Sequence, residues 1–238
     1  MKLTLIGYGK MGKAIHEQAL QRGHTVPLII DIQNKHELTA ENLQQTDVVI
    51  EFTTPETAFE NVSFCLKQGV PVICGSTGWL SKLDNAKNTA DQNQTGLIVA
   101  SNFSVGVNLF FELNKKLAEL MKNHGDYNPE LLEVHHTQKL DSPSGTAISL
   151  AEQIIERIPQ KINWVNHPSS NKNELVILSE RTDPAPGTHH VKYCSAIDDI
   201  EIIHTAHNRT GFALGAVIAA EFIAGKKGFF TMKDVLGI

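Results

Sequence analysis

The 238-residue sequence predicts an α/β protein with two domains, a parallel-sheet domain and an α+β domain with a mixed or antiparallel sheet. Short apolar strand patterns alternate with helical patterns over about the first hundred residues, which is typical of a parallel sheet covered by helices. Between residues 130 and 204, strand patterns follow one another with one helix among them. An apolar helix pattern returns at residues 210–224. We therefore expect residues 1–104 and 210–238 to form one domain and residues 105–209 the other.

The composition favours a small-molecule partner. The 21 basic and 26 acidic side chains give a net charge of −5, so the chain has no electrostatic footprint for nucleic acid or for an anionic membrane. Its longest apolar segment, residues 212–224, is shorter than the roughly 20 residues that span a bilayer. The three cysteines are odd in number and lack CxxC spacing, which argues against a disulfide framework or a structural zinc site. We expect a soluble, cytoplasmic protein without a nucleic-acid or membrane partner.

A glycine-rich turn follows the first apolar run and reads Gly7-Tyr8-Gly9-Lys10-Met11-Gly12. A helical pattern and a second apolar run ending in Asp31 come after it, which is the context of a dinucleotide-binding, Rossmann-like domain. We expect Gly7 to permit the tight turn, Gly9 to let the backbone approach a pyrophosphate, and Gly12 to let the helix pack closely on the strand. Asp31 lies 19 residues after Gly12, close to the roughly 20 expected for the acid that binds a ribose hydroxyl. The alternatives are a glycine turn without a ligand and, for Asp31, a cap at the end of a strand.

The residues around Asp31 bear on the choice of nicotinamide cofactor. Its carboxylate would repel the 2′-phosphate of NADPH, and Ile32-Gln33-Asn34 supplies no cation to attract that phosphate. NADH is therefore the favoured cofactor. Lys10 and Lys35 are close enough in sequence to keep NADPH as an alternative. The polar stretch after Asp31 lacks another apolar strand pattern, so the strand before it is expected at an edge of the sheet.

Further candidate cofactor contacts follow the later strands of the parallel sheet. In such sheets ligands bind outside the carboxyl ends of the strands. Small, hydroxyl-bearing and aromatic residues stand there: Phe52, Thr53, Gly75, Ser76, Thr77, Ser101, Asn102 and Phe103. The complete predicted cofactor site adds Gly7, Gly9, Lys10, Met11, Gly12 and Asp31.

The stretch from Glu133 to Ala147 concentrates titratable groups just before a helical pattern. It contains two adjacent imidazoles, His135 and His136, which would project to opposite sides if the strand continues through them. One could then reach a reacting centre while the other meets an anionic group. No metal is expected, because adjacent strand positions diverge and no carboxylate or cysteine spacing completes a site.

The second half of this stretch has the groups of an anion site. Lys139 supplies a positive charge, and Ser144 is placed to cap the helix that follows. The N–H groups of Gly145 and Thr146, together with the hydroxyls of Ser144 and Thr146, would then bind a carboxylate or a phosphate. The alternative is an ordinary helix cap with histidines at the surface.

These residues resemble the signature of bacterial dihydrodipicolinate reductases, also called 4-hydroxy-tetrahydrodipicolinate reductases. The signature comprises Glu133-Val134-His135-His136, Lys139 and the run from Asp141 to Ala147. The similarity covers nearly the whole chain, with further matches at residues 75–78, 100–108, 186–189, 209, 211–213 and 232–236. The short segment after Asp31, and Lys10 and Asp31 themselves, differ from many relatives. These differences concern cofactor preference rather than reaction type.

The resemblance implies reduction of a cyclic dicarboxylate imine by NAD(P)H in the diaminopimelate branch of lysine biosynthesis. It makes His135 the proton donor and Lys139 the group that orients the substrate, although either could deliver the proton. The nicotinamide would lie over Gly75 to Thr77, near Phe103, and relatives form homotetramers through the second domain. The groups that would hold the substrate carboxylates are His136, Ser144, Gly145 and Thr146.

Two other functions remain open at the level of sequence. One is a non-catalytic Rossmann module that senses NADH and binds a partner, which would have no need of Lys139. The other is a different two-domain dehydrogenase of the aspartate or homoserine type. Such an enzyme shares the glycine fingerprint but gives no reason for an anion-binding Ser-Gly-Thr turn beside two histidines.

Overall fold

The computed structural model describes residues 1–208 and 210–238. The chain forms two compact units, Met1–Asn108 with Thr210–Ile238, and Leu109–Arg209. The first boundary between the two units follows Asn108, four residues later than the sequence predicts. Arg209, which contributes to the family resemblance, lies outside the described residues. Within the described ranges, no helix combines the length and the apolar character needed to cross a membrane.

The first unit is a parallel sheet with helices packed on it. Its helices are α1 (Lys10–Gln21), α2 (Ala40–Leu43), α3 (Pro55–Lys67), α4 (Leu83–Gln92), α7 (Thr210–Ile223) and α8 (Met232–Leu236), with 3-10 turns at Ile32–Glu37 and Leu80–Lys82. Its strands are β1 (Lys2–Ile6), β2 (Thr25–Ile30), β3 (Val48–Glu51), β4 (Val72–Cys74), β5 (Gly96–Val99) and β11 (Gly228–Phe230). All neighbouring strands are parallel, in the order β11-β5-β4-β3-β1-β2. The carboxyl ends of β1, β2 and β3 therefore lie side by side.

The edge position expected for the strand after the fingerprint helix is confirmed, since β2 pairs only with β1 among the described strands. Pro27 lies in β2 and is tolerated there because an edge strand needs fewer N–H donors. The sequence patterns do not predict β11, which closes the other edge beside β5. Its three residues, Gly228–Phe230, are too few to show a period.

The second unit contains a five-stranded mixed sheet, which confirms the α+β expectation. Its strands are β6 (Asn128–His135), β7 (Asn163–Val165), β8 (Glu174–Arg181), β9 (Gly187–Cys194) and β10 (Asp199–Ala206), in the order β10-β9-β6-β8-β7. The β10-β9 and β9-β6 pairs are antiparallel, whereas β6-β8 and β8-β7 are parallel. Helix α5 (Val105–Met121) begins in the first unit and ends in the second, and α6 (Gly145–Ile155) follows β6.

Burial alternates along β6 and so fixes which of its side chains face the core. Leu131, Glu133 and His135 are buried, whereas the residues between them are only half-buried. Leu131 packs with Leu150 and Ile154 of α6 in the core of this unit. Because side chains two residues apart lie on the same face of a strand, Glu133 and His135 are carried to the side of the sheet that α6 covers.

Candidate active site

The fingerprint turn has the geometry that its glycines predict. Gly7 has a φ of +93°, and a Cβ atom built on it would lie 2.1 Å from the carbonyl oxygen of Phe52. A Cβ atom on Gly12 would lie 2.1 Å from the carbonyl oxygen of Gly7. Both positions therefore require glycine, one for the left-handed turn and both for close packing. A Cβ atom on Gly9, by contrast, would meet no heavy atom within 4 Å, so its backbone borders open space.

A cavity of about 330 Å³ opens beside Gly9 at the carboxyl ends of β1, β2 and β3. Gly9 is the residue that precedes α1, and it provides no side-chain cap for that helix, whose first turn carries no acidic residue. The N–H groups at this helix end are thus available to an anion. Predicted cofactor residues that line the cavity are Gly7, Gly9, Asp31, Phe52 and Thr53.

Asp31 and Lys35 both line this cavity, so a carboxylate and an ammonium group share the region expected to discriminate between NADH and NADPH. The Asp31 carboxylate also accepts a hydrogen bond from the N–H of Ile32 at 2.8 Å. The N–H of Asp31 donates to Asn34 Oδ1 at 2.7 Å, which completes a capping box on the following 3-10 turn. Both interpretations of Asp31 are therefore compatible with its position, because the cap leaves its carboxylate at the cavity.

A buried carboxylate that is not evident from the sequence organises the end of β3. Glu51 has no exposed surface, and its Oε1 accepts hydrogen bonds from the Thr53 hydroxyl and from the Thr53 N–H at 3.2 Å. Its Oε2 accepts from Cys74 Sγ at 3.1 Å. The Thr53 N–H also donates to Ser76 Oγ at 2.7 Å. Glu51 thereby ties together the loops that follow β3 and β4.

In the loop after β4, Gly75 lies close to an aromatic ring, and this ring is the side chain of Phe52 rather than a ligand. A Cβ atom on Gly75 would lie 2.2 Å from the ring of Phe52. The Phe52 ring in turn packs against Phe103, with ring centroids 5.8 Å apart. The backbone of Gly215 packs against that of Phe103, since a Cβ atom built on Gly215 would lie 1.8 Å from the Phe103 carbonyl oxygen. Gly75 thus has a packing requirement of its own.

Several other predicted cofactor residues lie outside the lining of this cavity. Ser76 is buried and serves as acceptor for Thr53, while Asn102 Oδ1 accepts from the Ser104 N–H at 2.9 Å. Gly12 acts through packing. The full set outside the lining is Lys10, Met11, Gly12, Gly75, Ser76, Thr77, Ser101, Asn102 and Phe103. Residues of the lining that the sequence does not single out include Tyr8, Thr54, Thr57 and Asn61.

In the second unit, His135 is paired with a carboxylate two residues before it in β6. His135 is 7% exposed and Glu133 is fully buried, and His135 Nδ1 contacts Glu133 Oε2. The other oxygen, Glu133 Oε1, accepts from Arg181 at 2.9 Å and from the Ser144 N–H at 3.3 Å. Burial alone would raise the pKa of Glu133, but its hydrogen bonds from His135, Ser179 and Arg181 lower it to about 2. Glu133 is therefore ionised at neutral pH.

A second imidazole lies against the first, and it comes from β9 rather than from the neighbouring position in sequence. The rings of His135 and His189 meet edge to face with centroids 5.1 Å apart. Burial, and the nearby His135, lower the pKa of His189 to about 3, so this ring is neutral at neutral pH. From the sequence, His189 is expected to be an ordinary strand residue, whereas it lies beside the candidate proton donor.

Ser144 caps α6 as expected, but its hydroxyl is already engaged within the protein. Ser144 is 2% exposed, and its Oγ accepts from the Ala147 N–H at 3.2 Å and contacts His189 Nε2 at 3.2 Å. These two contacts leave one further hydrogen-bonding position on the hydroxyl, which can donate one bond and accept two. The helix end itself remains suited to an anion, because the first turn of α6 has no acidic side chain and its initial N–H groups have no acceptor within the helix.

The remaining charged groups of the motif form local pairs. Lys139 Nζ donates to both oxygens of Asp141, at 2.8 and 2.9 Å, and this bond lowers the pKa of the Asp141 carboxyl. His136 comes directly after the end of β6, so the strand does not continue through both histidines. It is half-buried, whereas His135 is buried. The strand that would send the two imidazoles to opposite sides therefore ends at His135, and the condition of that prediction is not met.

Of the site residues that the sequence does not single out, Glu133 could have been found from its spacing along the strand. Glu133 and His135 are separated by two positions in a strand, so a shared face could be inferred from the period alone. Arg181 and His189 could not be found in this way, because β6 contacts them through long-range pairing. The register sets His135 opposite Arg181 and Glu133 opposite His189.

The two units carry complementary features. The first has a glycine turn, an open helix N-terminus and a cavity at the ends of parallel strands, which are the features of a dinucleotide site. The second has a buried imidazole and carboxylate beside a helix N-terminus, which are acid–base and anion-binding groups. Together they define the class of two-domain, nicotinamide-dependent oxidoreductases.

Comparison with known proteins identifies the family. Residues 1–103 match the family model of the dihydrodipicolinate reductase N-terminus, and residues 106–236 match that of its C-terminus. A 4-hydroxy-tetrahydrodipicolinate reductase of Christiangramia forsetii is 48% identical over 238 residues, covering 99% of this chain and 98% of the relative. The chain therefore belongs to the dihydrodipicolinate reductase family. It is an NAD(P)H-dependent oxidoreductase of the diaminopimelate route to lysine, as the resemblance predicts.

Solved structures agree on the fold. A dipicolinate-bound dihydrodipicolinate reductase from Paenisporosarcina sp. TG-14 superposes with a TM-score of 0.78 at 24% sequence identity, covering 98% of each chain. An amine dehydrogenase from Mycobacterium smegmatis gives a TM-score of 0.60 at 10% identity, covering 98% of this chain and 95% of that one. The Rossmann-like sheet with a second mixed sheet is thus confirmed as the architecture of this chain.

Proposed function

We propose that the protein reduces dihydrodipicolinate to tetrahydrodipicolinate, with His135 as the proton donor. When the substrate is the 4-hydroxy form, this reduction also releases one water molecule. The observation that carries this proposal is the buried His135, paired with the ionised Glu133 beside the N-terminus of α6. Imidazole is the side chain most often used as a general acid or base, and a paired carboxylate can fix its orientation.

The fingerprint unit fits a nicotinamide dinucleotide. Gly9 borders open space, and the first turn of α1 offers N–H groups without a competing acid. Gly7, Gly9, Lys10, Met11 and Gly12 would form the pyrophosphate site. Thr53, held by Glu51 and by Ser76, would contact the cofactor beside Phe52. The loops 75–77 and 101–103 would contribute the remaining contacts expected from the resemblance.

NADH is the favoured cofactor in this proposal. Asp31 presents a carboxylate at the cavity, which favours a ribose hydroxyl and disfavours a 2′-phosphate. Lys35 lines the same cavity and softens the discrimination, so we expect NADPH to be used less efficiently rather than to be rejected. Lys10, the first residue of α1, adds a second positive charge at the helix N-terminus.

The proton has a defined source in this chain. When bound, NAD(P)H supplies a hydride to the substrate and becomes NAD(P)⁺. The ring then gains carbanion or enamine character, and protonated His135 donates the proton that completes the reduction. His135 Nε2 loses that proton as a carbon–hydrogen bond of the product forms, and water restores it. Lys139 orients the substrate and stabilises developing negative charge.

The N-terminus of α6 would hold the carboxylates of the substrate. The N–H groups of Gly145 and Thr146 and the Thr146 hydroxyl are the proposed donors. The Ser144 hydroxyl accepts from the Ala147 N–H and contacts His189, and its remaining hydrogen-bonding position would serve the same carboxylate. His136 would meet the second carboxylate. The Paenisporosarcina reductase was solved with dipicolinate bound, and this dicarboxylate ligand supports a substrate of the same charge here.

We also propose a homotetramer assembled through the second sheet. On the face opposite α6, one row across four strands contains Ile203, His190, Leu132 and Leu178, which are paired in register. Ile203 is 52% exposed and Leu178 is 40% exposed. Burying such a row against another subunit is favourable at about 25 cal/mol per Å² of apolar surface. The cytoplasm is the expected compartment, since all three cysteines are free thiols.

A steady-state assay tests the proposed reaction. The substrate is generated freshly by the preceding synthase, and oxidation of NADH is followed by its absorbance. We expect NADH consumption that depends on the synthase product and that falls steeply in His135→Gln. The absence of substrate-dependent NADH consumption would refute the reductase and favour the NADH-sensing module, whose binding of NADH would persist.

A further inference from the structure

The proposed acid His135 has two ring nitrogens, and the structure distinguishes them. Nδ1 contacts the buried carboxylate of Glu133. Nε2 lies on the opposite side of the ring, beside Gly187, where a Cβ atom would stand only 2.9 Å away. Glycine at this position leaves room next to Nε2. The two nitrogens thus have different environments, one filled by an acceptor and the other left clear.

The carboxylate that faces Nδ1 is itself held in a fixed orientation. Arg181 donates to Glu133 Oε1 at 2.9 Å, and the Ser144 N–H donates to the same oxygen at 3.3 Å. Arg181 is anchored in turn through the carbonyl oxygens of Glu180, at 2.8 Å, and Asp141, at 2.7 Å. With Oε1 occupied by two donors, Oε2 is the oxygen directed at the imidazole.

We propose that Glu133 is the positioning residue of the proton donor. It accepts a hydrogen bond from the Nδ1–H of His135 and so makes Nε2 the nitrogen that holds and delivers the proton. After delivery, the Nε2–H bond is broken and the neutral ring keeps its remaining proton on Nδ1, facing the carboxylate. This inference rests on the proposed function of His135, and it adds a residue whose role is to fix the tautomer and the orientation of that ring.

His189 fits this arrangement as a neutral neighbour. Its ring meets that of His135 edge to face, and its Nε2 contacts the Ser144 hydroxyl at 3.2 Å. A second positive charge at this distance would oppose protonation of His135. Because His189 remains uncharged at neutral pH, the positive charge of the pair can reside on His135, next to Glu133.

A metal ion is the competing interpretation of the same side chains. Glu133, His135 and His189 each offer one ligand atom, and these atoms lie within 4.8 Å of one another. Arg181 argues against it, because a guanidinium on Glu133 would repel a divalent cation. A hydrogen-bonded pair accounts for these contacts better than a metal site does.

Glu133→Gln is the decisive substitution. Its amide oxygen would replace Oε1, since Arg181 and the Ser144 N–H both require an acceptor there. The NH₂ group is then directed at His135 Nδ1, which must accept, and the neutral ring is forced to carry its proton on Nε2. A second proton on this ring would face the NH₂ group, so the acidic imidazolium form is disfavoured. We expect kcat to fall by about 100-fold, with the KM for NADH changed by less than about threefold.

Matched variants separate positioning from general damage. Glu130→Gln makes the same change on the same strand, at a half-buried position on the other face, and should leave kcat unchanged. Glu133→Asp keeps a carboxylate and should recover part of the lost kcat. Equal activity of Glu133→Gln and the native protein would overturn the proposal, as would an equal loss in Glu133→Asp and Glu133→Gln with both proteins folded.

Nuclear magnetic resonance of nitrogen-15-labelled histidine tests the tautomer without any turnover. With His135 assigned by comparison with His135→Gln, we expect its neutral ring to carry the proton on Nδ1 in the native protein and on Nε2 in Glu133→Gln. A native ring protonated on Nε2 would overturn the role of Glu133. If the native protein shows the Nδ1 tautomer but no NADH consumption, the proposed function fails while the pairing stands.

Metal analysis of the purified native protein addresses the competing interpretation. We expect full activity after dialysis against EDTA, and no stoichiometric metal. Stoichiometric zinc that is absent from Glu133→Gln, together with loss of activity on chelation and recovery on adding zinc, would overturn the hydrogen-bonded assignment.

Discussion

His135 Nε2 faces the backbone of Gly187 so closely that a Cβ atom built on residue 187 would lie 2.9 Å from that nitrogen. Gly187 is the first residue of β9, and β9 pairs with β6, the strand that carries His135. The side of the imidazole proposed to deliver a proton is thus kept clear by a missing side chain. Glu133 holds the other side of the same ring.

Gly187→Ala should therefore act on proton delivery. The added methyl group either displaces the His135 ring or blocks Nε2, and we expect kcat to fall by about tenfold to 100-fold because a general acid contributes about that much or more. The KM for NADH should stay within about threefold of the native value. Steady-state kinetics measure both quantities.

Gly125→Ala is the control for this change. Gly125 lies in the same unit, and a Cβ atom there would meet no heavy atom within 4 Å. Its activity should equal that of the native protein. A Gly187→Ala protein with native kcat and a native melting temperature would contradict the assignment of Nε2 as the donor atom.

Gly9 and Gly12 belong to one motif but should respond differently to alanine. Gly12→Ala forces a methyl group to 2.1 Å from the Gly7 carbonyl oxygen, so the melting temperature should fall by several degrees, since overpacking typically costs about 1–3 kcal/mol. Gly9→Ala adds a methyl group in open space and should leave the melting temperature nearly unchanged, while weakening NADH binding. Thermal unfolding and NADH titration by fluorescence separate the two effects. Loss of stability in Gly9→Ala with retained NADH affinity would contradict this division of roles.

Asp31→Asn tests cofactor choice with the fold preserved. Asparagine keeps an oxygen that can accept from the Ile32 N–H, so the capping interaction, worth about 1 kcal/mol, is retained while the charge is lost. We expect the ratio of kcat/KM for NADH to that for NADPH to fall by about tenfold, roughly 1.4 kcal/mol of discrimination. Lys35→Gln should shift the same ratio in the opposite direction. Asp47→Asn, which removes an exposed carboxylate outside this cavity, should leave it unchanged. A native ratio in Asp31→Asn would refute the role of Asp31.

The sequence alone predicts the first unit well because its signals are local. Strand, glycine turn, helix and acid follow one another within 31 residues, and Gly7 and Gly12 are required by contacts of that same segment or of the adjacent strand. The cap of α6 is similarly local, since Ser144 bonds the N–H of Ala147 three residues later. Such features depend on the order of residues rather than on tertiary packing.

The groups around His135 are predicted less completely because they meet through strand pairing. Arg181 and His189 lie 46 and 54 residues beyond His135 and come together with it only through the register of β6 with β8 and β9. The sequence predicts that Ser144 caps α6 and binds the substrate, but it gives no sign that the Ser144 hydroxyl also contacts His189 of β9.

His189 should make the stability of the protein sensitive to acid. Burial, reinforced by the nearby His135, lowers the pKa of His189 to about 3 in the folded state, whereas an unfolded histidine has a pKa of about 6.5. Between these values the unfolded chain binds one more proton than the folded chain does at this position. The free energy of unfolding must therefore decrease as the pH falls below about 6.5, by up to about 1.4 kcal/mol per pH unit.

His189→Gln removes the titrating group while keeping an amide that can bond Ser144. On lowering the pH from 7 to 5, we expect this variant to lose about 2 kcal/mol less stability than the native protein does, as measured by urea unfolding at each pH. Parallel curves for His189→Gln and the native protein would show that the buried ring does not titrate as its environment requires.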